Sequence, residues 1–293
     1  MLYLGIDLGG TRIKSVLMNR AGDLLEQGYT ETKDDGGAAW KHTVKKLLEE
    51  LQLKYDGEII VVGISAPGLP SADNSSIAFM PGRMQGLENF VWSEWLQQPA
   101  FVINDAVAAL MAEARLGAGK GLQHVVMLTL GTGVGGALLL NGQPFQGAFN
   151  KAGHIGHMVI DSTGEPDVTG MPGSLEDAIG NVTIAIRSKG KFDSTRQLLE
   201  AMRAGDAFAL RVWEESVKKL AIGLASITNI ISPERIILGG GITEAGADLF
   251  DLLVKYMALY EWKAGCAGVE IVKAQFGDLS GAIGAACYAM EKE

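Results

Sequence analysis

Three short apolar runs open the chain, Leu2–Asp7, Thr11–Asn19 and Leu24–Thr32, parted by a glycine turn and by Arg20-Ala-Gly-Asp23. Runs of this length between turn residues predict a three-stranded meander. From Ala38 to Tyr55 the pattern changes. Apolar residues recur at Trp40, Val44, Leu47, Leu48, Leu51 and Leu53, near the period of about 3.6 that marks an amphipathic helix. A strand over Glu58–Ser65 is ended by Pro67-Gly68 and Pro70, and Ser71–Asn89, rich in Gly, Pro, Ser and Asn, reads as a long loop. Strand Ala100–Ile103 and helix Asp105–Leu116 follow. Beyond the Gly117–Gly121 linker, strand Val125–Leu130, a second glycine turn and strand Gly135–Leu140 repeat the opening in outline. Such a repeat, about one lobe apart, predicts an internally duplicated fold. A helix over Asp206–Ile231, strand Arg235–Leu238, a glycine triplet, helix Ala245–Leu259, strand Val269–Gln275 and a last helix from Gly281 complete an α/β pattern with mixed sheets.

Size and composition narrow this picture. A chain of 293 residues with 47% hydrophobic residues suits two domains at about 100–200 residues each. The strand begins at Leu2, which leaves no room for a secretory signal, and apolar runs such as Glu58-Ile-Ile-Val-Val-Gly-Ile-Ser65 fall well short of the roughly 20 residues that span a bilayer. With only Cys266 and Cys287 present, neither a disulfide framework nor a cysteine zinc cluster is expected. These features predict a cytoplasmic protein without a membrane partner. A net charge of −9 without a basic stripe argues against nucleic acid as a partner, so any anion must be held locally by backbone amides.

Three glycine sites are placed to do that. In Asp7-Leu-Gly9-Gly10-Thr11-Arg-Ile-Lys14, the glycines remove the Cβ atoms that would keep a phosphate from backbone N–H groups, and the acidic residue at the strand end suits hydrated Mg²⁺. An ordinary glycine hairpin is the plainer alternative. Gly131-Thr132-Gly133-Val-Gly135-Gly136 fits the Gly-x-Gly-x-x-Gly dinucleotide pattern, but Ala137-Leu-Leu-Leu-Asn-Gly142 reads as a strand ending in an Asn-Gly turn, whereas that pattern must open a helix. An oxidoreductase is therefore disfavoured. The third site, Gly239-Gly240-Gly241, ends a buried strand where a flat ring could lie. Together the three sites favour one nucleotide.

These segments, with Gly63-Ile-Ser-Ala-Pro67-Gly68, Asn104-Asp105-Ala106, Thr129-Leu-Gly-Thr-Gly-Val-Gly-Gly136, Ala152-Gly-His154-Ile-Gly-His157-Met158 and Leu238-Gly-Gly-Gly241, resemble the ROK family (repressors, open reading frames and sugar kinases) over nearly the whole chain. The resemblance implies a duplicated actin-like ATPase (ribonuclease H-like) fold, with two lobes closing on ATP and a sugar around a central cleft. The lobes would be 1–117 and 118–280, with 281–293 packing back onto the first. It implies ATP and Mg²⁺ as cofactors, a sugar as substrate and a homodimer. Asp105 takes the family's catalytic base position. An Asp there also suits a helix N-cap, a role open to Asn104 instead. The nucleotide would be held by Asp7, Gly9, Gly10, Thr11, Lys14, Gly131, Thr132, Gly133, Gly239, Gly240 and Gly241, with Asp7 reaching Mg²⁺ through water. Lys14, on a strand, is open to the plainer reading of a solvated face residue. The sugar would be held by Gly68, Arg83, Asn104, Asp105, His154, His157 and Glu176, with His157 equally open to a role in structural support.

The sequence departs from the family pattern in three places. Many ROK kinases carry a cysteine zinc site after the Gly-His-Met segment, where this chain has Val168-Thr-Gly-Met-Pro-Gly-Ser174-Leu-Glu176 without cysteine; no zinc site is expected. His154 stands where glucose-using relatives usually have a sugar-binding Glu, replacing an obligate acceptor by a ring that donates or accepts. In Met80-Pro-Gly82-Arg83 an Asn common among relatives is missing, and Arg83 is either an anion contact or a solvated loop residue. The alternative to a kinase is a non-catalytic sugar or nucleotide sensor. The repressors of the family carry a DNA-binding segment ahead of the first phosphate strand, and retention of Asp105 favours catalysis.

Overall fold

A computed structural model describes residues 1–32, 38–56, 58, 60–80, 84–167 and 169–293. The chain divides into two compact units: Met1–Gly121 with Pro144–Ala152 and Gln275–Glu293, and Leu122–Gln143 with Gly153–Ala274.

In the first unit, β1 (Leu2–Leu8), β2 (Arg12–Asn19) and β3 (Leu24–Glu31) form the expected meander. After α1 (Ala39–Lys54) come β4 (Ile60–Ala66), a small hairpin of β5 (Leu69–Pro70) and β6 (Ile77–Phe79), α2 (Trp92–Leu96), β7 (Ala100–Asn104) and α3 (Asp105–Leu116). The sheet runs β3-β2-β1-β4-β7, antiparallel within the meander and parallel from β1 through β4 to β7. Parallel neighbours need a crossover, which is why helical periodicity breaks the run of strands after β3. β4 is buried at every position, and α1 buries Trp40, Val44, Leu48 and Leu51 against the same core.

The second unit repeats the plan. Its elements are β8 (Val125–Leu130), β9 (Val134–Leu140), β10 (Gln143–Pro144, of which Gln143 belongs to this unit), short helices α4 (Leu175–Ile179) and α5 (Ile184–Arg187), α6 (Thr195–Arg203), α7 (Ala207–Ile231), β11 (Arg235–Gly239), α8 (Ala247–Tyr260) and β12 (Glu270–Lys273). Its sheet runs β10-β9-β8-β11-β12, with β8 antiparallel to β9 and parallel to β11, and β11 parallel to β12. Asp206 caps α7 by accepting from the amides of Phe208 and Ala209; buried Trp213, Val217, Leu220 and Leu224 on that helix fill the core over β8 and β11. The glycine triplet leads into a 3-10 turn, Gly241–Ala245, before α8 begins, so the expected helix from Ala245 starts two residues later.

The helix α9 (Ser280–Lys292) returns to the first unit. Gly5 of β1 and Gly63 of β4 are register partners, and a Cβ on either would lie 1.9 Å from the carbonyl oxygen of Ala282 or Ala285. Two adjacent glycines thus make a flat floor on which the helix backbone rests. On another side, a Cβ at Gly284 would stand 1.6 Å from the Ala108 carbonyl oxygen of α3. Glu113 of α3 is fully buried and binds main chain on both sides: Oε2 accepts from the amide of Ala118 at 2.8 Å, and Oε1 from the amides of Gln275 at 2.6 Å and Phe276 at 3.0 Å.

Candidate active site

The first glycine turn is built on charge. Gly9, at the end of β1, donates its N–H to the Arg12 carbonyl at 3.0 Å, and its own carbonyl accepts from the Thr32 hydroxyl. Gly10 faces open space. Asp7 and Lys14 are register partners across β1 and β2. Lys14 Nζ lies 3.5 Å from Asp7 Oδ2 and 2.7 Å from Asp278 Oδ1. Burial alone would lower the Lys14 pKa, but its bond to Asp278 and the charge of Asp7 outweigh it and raise the pKa. The Ser65 hydroxyl donates to Asp7 Oδ1 at 2.7 Å. The predicted Asp7, Gly9, Gly10, Thr11 and Lys14 therefore sit in one cluster, with Lys14 already between two carboxylates.

Asp105 is the first residue of α3, and Asn104 is its N-cap. Asn104 Oδ1 accepts from the Ala106 amide at 2.9 Å while its Nδ2 donates to the Gly68 carbonyl at 3.0 Å. Gly68 has φ +100°, and a Cβ there would meet Met80 and the Phe79 carbonyl at 2.7 Å. One asparagine thus ends β7, starts α3 and fixes the loop after β4. The capping load falls on Asn104, although the Ala106 amide also reaches Asp105 Oδ1 at 2.8 Å. The Asp105 side chain is open to solvent but closely ringed by protein atoms. That desolvation, together with the like charge of Asp7, lifts its pKa to about 6 against the pull of the Ala106 amide and Asn104.

The second glycine turn carries no charged residue of its own and borrows one. Glu176 of α4 accepts from the Val134 amide through Oε2 at 2.8 Å, and a Cβ at Gly133 would stand 2.1 Å from that oxygen. The carbonyls of Gly131 and Thr132 accept from the amides of Asn181 and Val182, each at 2.9 Å. In the triplet, Gly239 ends β11 and Gly240, at φ +87°, passes so near the Leu130 carbonyl that a Cβ would lie 2.3 Å from it; Gly241 faces open space. Gly131, Thr132 and Gly241 line one cavity of about 730 Å³ with Asn181, Thr195 and Arg196. Two glycine sites far apart in sequence thus share one hollow, roomy enough for a nucleoside on the scale of small-molecule sites.

His154 precedes the 3-10 turn Ile155–His157, and its carbonyl accepts from the His157 amide at 3.2 Å. The His157 ring meets a residue that sequence reasoning passed over: its Nδ1 lies 3.1 Å from Asp167 Oδ2. The Asp167 side chain is completely enclosed. Burial would raise its pKa, but the Thr169 hydroxyl and amide, His157 and the Met171 amide hold it well below the usual carboxylate range. The available signal was Asp167-Val-Thr169, the spacing at which an Asp side chain folds back on its own backbone. Arg83 and Gly82 lie outside the described residues. Among the described residues no group of three or more His, Cys, Asp or Glu could hold a metal ion, and no helix is long and apolar enough to cross a membrane.

Known proteins resemble this chain in sequence and in fold. The sequence model of the ROK family matches residues 3–292. A glucokinase from Halalkalibacterium halodurans is 30% identical over 99% of this chain and 96% of its own length. A crystal structure of a ROK hexokinase from Thermus thermophilus superposes with a TM-score of 0.89 at 27% identity, covering 100% of this chain and 99% of that one. A ROK family glucokinase from Streptomyces griseus, in complex with glucose and AMPPNP, gives a TM-score of 0.78 at 25% identity, covering 99% of this chain and 100% of that one.

Proposed function

Because the chain belongs to the ROK family and is a carbohydrate kinase of the actin-like ATPase fold, we propose that it transfers the terminal phosphoryl group of ATP to a hexose hydroxyl, with Asp105 as the base. The observation that carries this reading is the state of Asp105. Asn104 takes the cap, Asp105 stands at the helix start with its side chain open to solvent, and its pKa is raised to about 6. A base poised near neutrality is ionised at working pH yet retains proton affinity.

The sugar hydroxyl oxygen attacks the terminal phosphorus in line, its proton passes to the Asp105 carboxylate, and the bond to the ADP oxygen breaks. Most of the remaining acceleration is positional and electrostatic. The open faces of Gly10, Gly131 and Gly241 and the cavity beside Thr132 fit a nucleotide held by main chain. Asp7, steadied by Ser65 and Lys14, fits hydrated Mg²⁺, which when bound neutralises charge on the phosphates. Both polar ends of Asn104 are engaged, so it shapes the sugar site through the Gly68 loop; Glu176, His154 and His157 are the side chains assigned to the hydroxyls. The glucokinase and hexokinase relatives make glucose the first acceptor to try. The same reading puts the enzyme in the cytoplasm without a nucleic-acid partner, supported by its two unpaired cysteines and its net charge of −9, and makes it a homodimer on family membership alone.

The test is ADP release from Mg-ATP across hexoses, amino sugars and β-glucosides, comparing wild type with Asp105→Asn. Turnover on one sugar, abolished in a folded variant, establishes reaction and base together. A wild-type protein that binds ATP but turns over none of the panel would overturn the hexose reading.

A further inference from the structure

Asp167 does more than fill a turn. Its Oδ1 accepts three donors, the Thr169 amide at 2.8 Å, the Thr169 hydroxyl at 2.6 Å and the Met171 amide at 3.1 Å, while Oδ2, among the described residues, faces only the His157 ring at 3.1 Å. The carboxylate is enclosed and ionised, so it has no proton to offer and the ring must supply the one between them. We propose that Asp167 is a positioning residue that locks His157 in the tautomer protonated at Nδ1, so that Nε2 is presented as a hydrogen-bond acceptor selecting a hydroxyl donor on the sugar. Among the described residues the His157 ring makes no other hydrogen bond, and about a third of its side chain is exposed. This rests on the assignment of His157 to the sugar site made above.

The geometry supplies an unusually sharp test. In Asp167→Asn, three donors on the Oδ1 side hold the amide oxygen there, so the NH₂ group must occupy the Oδ2 position and point its hydrogen at Nδ1. The ring then has to accept at Nδ1, moving its proton to Nε2 and turning acceptor into donor. Two-bond ¹H–¹⁵N correlation spectra of the histidine rings, assigned with His157→Gln, report which nitrogen carries the proton. The expected result is Nδ1–H in wild type and Nε2–H in Asp167→Asn, with the sugar KM raised about tenfold and the effect falling on KM rather than kcat.

An Nε2–H ring in the wild-type protein would overturn the proposal without any variant. So would an unchanged tautomer in folded Asp167→Asn. A switched tautomer with an unchanged sugar KM would leave Asp167 in control of the ring and overturn instead the assignment of His157 to the sugar. Asp167→Glu, which restores the charge with a longer reach, is expected to return the Nδ1–H form and part of the lost affinity.

Discussion

The two glycine turns are copies of one plan executed with different electrostatics. In the first, register runs from Leu8 to Ile13; in the second, from Leu130 to Val134, one residue tighter. The first is surrounded by fixed charges, Asp7, Lys14 and Asp278, that neutralise one another in part. The second has no room for charge of its own and receives a single carboxylate, Glu176, docked on the Val134 amide where Gly133 leaves the space. A duplicated backbone can thus keep the same phosphate-sized turn while one copy is set among paired charges and the other is shaped by one docked carboxylate.

The most damaging way to break the comparison is to remove Asp105, the proposed base, on the charged side. Asp105→Asn should cost about 10³-fold in kcat, within the range for general bases. It should also melt no lower than wild type. The sign follows from the raised pKa: between the unfolded value of 3.8 and about 6 the folded state binds the proton more readily than the unfolded one. Ionised Asp105 therefore works against folding above that window, and this is relieved as pH falls through it. A low melting temperature by calorimetry would mean that the loss of rate is structural.

On the uncharged side, Gly133→Ala puts a methyl group 2.1 Å from Glu176 Oε2 and should drive the carboxylate off the Val134 amide. Displacement of that order costs about a hundredfold in kcat/KM, read by steady-state kinetics on the accepted sugar. The pH profile probes the charged side more gently. With a base of pKa about 6, kcat/KM should be flat above pH 7 and fall about tenfold per unit below the pKa. Removing the like charge with Asp7→Asn should lower the Asp105 pKa, measured by carboxyl NMR titration so that loss of activity does not obscure it. The smallest effect belongs to Gly10→Ala. Nothing lies within 4 Å of the new methyl group, so stability should be unchanged while KM for ATP rises about tenfold, since the methyl blocks close approach to the turn amides. Equal KM values for ATP in the two proteins would remove Gly10 from the phosphate site.

Much of this was readable in one dimension because the informative residues carry local constraints. Glycine turns after apolar strands, Asn before Asp at a strand-to-helix joint and the periodicity of α1 and α7 are each decided within a few residues. The structure gives the cap to Asn104, a choice between it and Asp105 that the sequence leaves open, and holds that side chain through a bond to Gly68, 36 residues away. Glu113 was invisible for the same reason: its amide partners at Gln275 and Phe276 lie more than 160 residues downstream, and a helical Glu is ordinarily solvated. The stretch between β10 and α6 is harder still. Its helices α4 and α5 span five and four residues, too short to express a helical period. Asp167, in the same stretch, owes its position to a turn whose purpose shows only when His157 is seen beside it.

The glycine floor under α9 also orders events in time. Gly5 and Gly63 leave β1 and β4 with a bare strip against which the backbone of α9 rests, yet residues 153–274, nearly all of the second unit, are synthesised after those strands and before that helix. On the ribosome the second unit has its whole sequence available before the first can seal its sheet. Until α9 emerges the first unit lacks the helix that covers this strip, and an uncovered sheet face is the kind of surface that chaperones bind.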